Sequence, residues 1–98
     1  MGASVAAMEP LVDQVVWAQS LAATIRAERA AAGISQADVL ERTGIARTVY
    51  WRIEQGTRVV DVVQLRAIAE AIGTTVPDLL ARTDTRYAET IARQDPAT

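Results

Sequence analysis

The stretch Ser35-Gln36-Ala37-Asp38-Val39-Leu40-Glu41-Arg42-Thr43-Gly44-Ile45-Ala46-Arg47-Thr48-Val49-Tyr50-Trp51-Arg52-Ile53-Glu54-Gln55-Gly56 reads as two short helices joined by a tight turn. Ser35 followed three residues later by Asp38 is a capping-box pattern, so a helix opens there and lasts to about Thr43. Gly44 ends it, because a sharp exit from a helix needs a positive φ that glycine adopts without steric cost. Ile45 plugs the angle between the helices, and the second one spans roughly Arg47 to Gln55 before stopping at Gly56. Advancing 100° per residue, Arg47, Thr48, Trp51, Arg52 and Gln55 share an arc of about 140°. Ala46, Val49, Tyr50 and Ile53 cluster opposite. One face is apolar, and the other carries two arginines with no acid among them.

Two helices so joined form a helix-turn-helix, the compact αα unit used to read the DNA major groove. The exposed residue types suit that task. Arginine is a fork for guanine O6 and N7, glutamine pairs with adenine N6 and N7, and threonine meets a base or a phosphate. An ordinary amphipathic helix with a solvated polar face gives the same wheel, so the wheel alone leaves both readings open.

Outward from this unit, punctuation divides the rest of the chain. Pro10 opens a helical pattern with Leu11, Val12, Val15 and Val16 at helical spacing. It either runs into or breaks before a segment from about Ser20 to Ala32, whose inward stripe is Leu21 and Ile25 and whose end is Gly33. Asp61 with Gln64 opens a helix that Gly73 closes. Thr75, with Pro77 and Asp78 in the first turn, opens a short helix through Leu80. Beyond Thr83, Tyr87 and Ile91 stand four apart, enough for a further turn or two. Nothing alternates with period two, so the fold is all-α.

The ordered set Leu21-Ala22-Ala23-Thr24-Ile25-Arg26-Ala27-Glu28-Arg29, Gly33-Ile34-Ser35-Gln36, Gly44-Ile45 and Arg52-Ile53-Glu54-Gln55-Gly56 resembles the Cro and phage-repressor (XRE) type of helix-turn-helix protein. The likeness continues through Leu65-Arg66-Ala67-Ile68-Ala69-Glu70-Ala71-Ile72-Gly73 and Val76-Pro77-Asp78-Leu79-Leu80, over about residues 20 to 81 without a gap. It implies a five-helix, lambda-repressor-like DNA-binding domain over residues 20–82, with an extra N-terminal helical segment over 1–19 and a tail over 83–98. By the same resemblance Arg47, Thr48, Trp51 and Arg52 face the bases of double-stranded DNA. Gln36, Gln55, Thr57 and Arg58 meet the backbone, and Gln36 also braces the recognition helix. Arg29 and Glu54 match a structural ion pair between the first and third helices.

The chain departs from the family pattern at four positions. Leu40 stands where alanine is usual, so its bulk should push the motif helices apart or displace a neighbour. Thr43 replaces an apolar residue. Ala46 replaces a Ser or Thr N-cap, a loss of about 1 kcal/mol. Tyr50 replaces isoleucine, so its ring should pack while the hydroxyl reaches an edge. Trp51 admits three roles: core residue, apolar contact to a thymine methyl or sugar, or protein interface. Trp17 is expected to pack the N-terminal segment onto the domain, while Arg66, Arg82, Arg86 and Arg93 read as solvated charges.

Composition removes most enzymatic alternatives. The 98 residues, half of them hydrophobic, make one small domain. There is no His and no Cys, which excludes a Ser-His-Asp triad, a Cys-His pair and a thiolate zinc site. The glycine spacing matches no P-loop or dinucleotide fingerprint, so no catalytic residue, cofactor or metal is expected. The N-terminus lacks the basic region of a secretory signal, and no stretch is apolar enough to span a membrane, so a cytoplasmic location is expected.

The net charge of −2 and pI of about 5.0 argue at first against a nucleic-acid partner. The charge is unevenly placed, however. Residues 21–60 hold six arginines against four acids, while both ends are net acidic. All ten basic residues are arginine, which favours directional forks over diffuse charge. The leading expectation is a sequence-specific repressor binding a palindromic operator as a homodimer, joined through Leu11 to Val16 or the tail near Tyr87 and Ile91. With no effector domain in the sequence, its regulation would come from concentration, a partner protein or proteolysis. Two alternatives stand beside it. One is an antitoxin that represses its own operon and binds a toxin; the other is an interaction module using Tyr50 and Trp51 as a sticky surface. An antirepressor is a further possible protein partner.

Overall fold

The computed structural model describes the backbone of residues 2–94 and the side chains of residues 13–94. The leucine and valine at 11 and 12 therefore fall outside the described side chains. Five helices follow one another: α1 (Gly2–Ala31), α2 (Gln36–Thr43), α3 (Arg47–Gln55), α4 (Val62–Ile72) and α5 (Val76–Gln94). All described regular structure is helical, as the absence of period-two alternation predicts.

At the N-terminus the structure decides between two open alternatives, and at the C-terminus it extends the expected helix. The N-terminal segment is not separate: it runs unbroken into the Ser20–Ala31 stretch as α1. Ser20 does not cap a new helix. It is buried, and its hydroxyl donates back to the Val16 carbonyl at 2.9 Å, which satisfies a polar side chain inside a continuing helix. Thr24 does the same toward Ser20, at 3.0 Å.

The helix expected to stop at Leu80 instead continues as α5 to Gln94. Thr83 is buried, its hydroxyl donating to the Leu79 carbonyl at 2.7 Å. Partners on α1 hold the added turns. Trp17 Nε1 donates to Asp84 Oδ1 at 2.9 Å, and Arg82 pairs with Glu28 at 3.0 Å. Trp17 thus packs α1 onto the domain, as expected, and Arg82 is a surface charge, 58% exposed, as expected, with an ion-pair partner besides.

The core gathers Ile25 of α1, Val39 of α2, Tyr50 and Ile53 of α3, Ile68 of α4 and Leu79 of α5. Burying each large aliphatic side chain contributes about 1.5–3 kcal/mol before the entropy of ordering it is subtracted. Both full capping boxes form, at Ser35 with Asp38 and at Asp61 with Gln64. Arg42 Nη1 donates to the Ala71 carbonyl at 2.8 Å, tying the end of α2 to the end of α4.

Candidate nucleic-acid interface

The turn between α2 and α3 is built by local rules. Gly44 sits at φ 73°, with its N–H returning to the Leu40 carbonyl. Thr43, the polar departure, is fully employed here. Its hydroxyl donates to the Val39 carbonyl at 2.7 Å and accepts the Ile45 N–H at 3.2 Å. Ala46 begins α3 in extended geometry with no side-chain cap, leaving N-terminal amides of that helix without a side-chain acceptor.

From that start α3 presents two faces. Tyr50 and Ile53 are buried, and Arg47, Thr48, Trp51, Arg52 and Gln55 are exposed. Among the described residues no ion pair or hydrogen bond engages the guanidinium groups of Arg47, Arg52 or Arg58, all exposed residues. Trp51 is 52% exposed, which removes the core role from its three readings. Thr57 and Arg58 lie exposed just past the helix. The Thr57 N–H and hydroxyl both turn back to the Arg52 carbonyl, at 3.1 and 3.4 Å, so this threonine also closes the end of α3.

What holds that face in place is a buried carboxylate. Glu54 is 1% exposed, and its oxygens accept from Arg29 Nε at 2.7 Å, Arg29 Nη2 at 3.2 Å and Gln36 Nε2 at 2.9 Å. The Tyr50 hydroxyl donates to it as well. One acid thereby ties α1, α2 and α3 together. Burial pushes the Glu54 pKa up, but the hydrogen bonds from Arg29, Tyr50 and Gln36 outweigh it and hold the carboxyl below its ordinary value.

Tyr50 corrects the sequence reading. Its hydroxyl does not reach an edge but points inward to Glu54, with burial and the neighbouring carboxylate raising its pKa. A residue so buried cannot be half of a sticky surface. The available signal was spacing, because positions 50 and 54 share one helix face. Leu40 lines a cleft of about 460 Å³ between α2 and α3, with Gln36, Ala37, Arg47 and Trp51 also on its walls. Leu40 is half-buried and packs against the core.

Among the described residues no group of three or more carboxylates, His or Cys is placed to hold a metal. No helix there is long and apolar enough to cross a membrane.

The family model described as a helix-turn-helix domain matches residues 20–82. The chain belongs to that family. It is a DNA-binding protein of the transcription-regulator type and not an enzyme. No curated protein matches it. Among solved structures, this chain is similar to the clp gene regulator ClgR from Corynebacterium glutamicum, at 25% identity and a TM-score of 0.78. That match covers 83% of this chain and 86% of the other.

Proposed function

We propose that this protein is a cytoplasmic repressor that binds a palindromic operator as a homodimer, with α3 of each copy in the major groove. The observation that carries this reading is the acid-free exposed face of α3, where Arg47 and Arg52 have no partner among the described residues. Free guanidinium forks beside Thr48 and Trp51 match the hydrogen-bonding and methyl edges of the major groove. Gln36, Gln55, Thr57 and Arg58 surround that face and supply the backbone contacts that set its register. Gln36 gives one donor to Glu54, and its exposed amide keeps further capacity for a phosphate.

The long α1 packs on α5 and, through Arg29 and Glu54, on α3, which steadies the domain as a single reading head. A second copy supplies the second half-site, and an occupied operator blocks other proteins by exclusion. The likeness to a gene regulator supports a regulatory role.

Selection of bound sequences from a random duplex library tests the proposal. An enriched inverted repeat, with half-site centres about one helical turn (10–10.5 base pairs) or a multiple apart, is the expected result. Recovery of no enriched motif overturns it.

A further inference from the structure

An exposed apolar feature lies beside the loop that follows α3. Val59, Val62 and Val63 are 85, 77 and 78% exposed. Next to Val59, a groove of about 490 Å³ runs between α1 and the 56–59 loop, with Val15 and Ala18 on its far wall. Val15 is itself 56% exposed. Clustered apolar surface with a polar rim marks an interaction site, because its burial removes ordered water.

We infer that Val59, Val62 and Val63, with Val15 across the groove, form the contact between two copies of this chain, which rests on the operator-bound dimer proposed above. Two observations favour a second copy as the occupant. The first is charge. Arg58 precedes the valines, Asp61 stands between them, and Arg66 lies one helical turn beyond Val62. A two-fold contact sets each surface against itself reversed, which can bring the Arg58 of one copy to the Asp61 of the other, whereas Arg66 is already paired with Glu70 at 3.2 Å. Arg58 has no internal partner among the described residues, and Asp61 uses only Oδ1 to cap Gln64, at 2.6 Å.

The second is position. The patch begins one residue after Arg58, at the margin of the DNA face. A two-fold axis there sets both α3 helices toward the same side, as a palindrome requires. DNA is a poor occupant, since valine side chains offer phosphates no donor. Of the surfaces first expected to pair, the tail is partly spent within the chain, Tyr87 and Ile91 being half-buried, while Val15 of the 11–16 segment is exposed and lines this groove.

The chain has no cysteine, so single-cysteine variants report proximity cleanly. Val62→Cys and, on α5, the exposed Ala92→Cys are each treated with a short bis-maleimide in the absence of DNA. Covalent dimer from Val62→Cys, and little from Ala92→Cys, is the expected result. The Val62→Asp/Val63→Asp double variant alters only exposed positions. In sedimentation equilibrium it should self-associate at least about tenfold more weakly than the parent, with an unchanged helical circular-dichroism spectrum.

A double variant that dimerises like the parent, crosslinking from Ala92→Cys alone, or a parent that is monomeric at every concentration each overturns the inference. These readouts use no DNA. An interface seen here without an enriched operator leaves the contact standing and removes the operator reading. The converse removes the contact alone.

Discussion

Tyr50 and Glu54 stand one turn apart on α3, and the tyrosine hydroxyl donates to the glutamate carboxylate inside the protein core. The same carboxylate carries the Arg29 ion pair and the Gln36 amide, so α3, the helix proposed to meet DNA, is anchored through this buried acid. Removing one donor leaves three hydrogen bonds, whereas removing the charge strands a guanidinium. Tyr50→Phe should therefore cost about 1 kcal/mol. Glu54→Gln should cost about 3 kcal/mol, the lower end for a broken buried pair because Arg29 keeps 19% of its side chain in water. Urea unfolding followed by circular dichroism measures both, and equal losses would contradict this ranking.

The acid dependence of stability should carry the signature of Glu54. Its folded pKa is held below the ordinary 4.5, so the unfolded chain binds the proton more readily. The stabilisation is then complete above about 4.5 and is lost as pH falls through the folded value. Denaturation midpoints taken down the acid range should drop more steeply in the parent than in Glu54→Gln. Parallel curves would show that another group dominates the acid limb.

Ala46 offers a gain. Its extended backbone, at φ −63° and ψ 143°, is already that of an N-cap, and only the side-chain acceptor is missing. Ala46→Ser should raise stability by about 0.5–2 kcal/mol, read as a higher thermal midpoint. A lower midpoint would mean that the first turn of α3 is satisfied in another way.

The DNA face should separate into two mutational classes. Arg47→Ala or Arg52→Ala should lose about 1–3 kcal/mol on the selected operator and relax preference at one base position. Arg58→Ala should weaken all duplexes alike and reduce the salt slope by about one unit. Fluorescence anisotropy across a salt series, on operator and scrambled duplexes, distinguishes the classes. No effect from any of the three would place the interface elsewhere.

Gly56 is constrained by its backbone. It lies at φ +74°, and an added Cβ would sit 3.4 Å from Gln19 Cγ and 3.5 Å from Ala22 Cβ on α1. Gly56→Ala should cost about 1–2 kcal/mol through the backbone alone, since those contacts are ordinary van der Waals distances. A neutral result in thermal unfolding would show that the loop shifts freely.

Local chemistry made much of this architecture legible in advance. The Ser35 and Asp61 capping boxes, the glycines at 44 and 56 and the 3.6-residue wheel of α3 act within a few residues of one another, so they can be read from one segment at a time. The exposed side of α3 was legible for the same reason, because a wheel separates faces without knowing what covers them. The burial of Tyr50 and its bond to Glu54 were not, although both lie on one helix, because the side a phenol takes depends on what α1 and α2 leave open. Nor did Ser20 and Thr83 announce continuing helices. A hydroxyl can cap a new helix or bond back within an old one, and the packing of α1 against α5 selects the second. Segment identity and helix caps follow from short-range sterics and hydrogen bonds. Helix length, the direction of Tyr50 and the exposure of the Val59–Val63 surface follow from contacts between residues far apart in the chain, which exist only once the domain has closed.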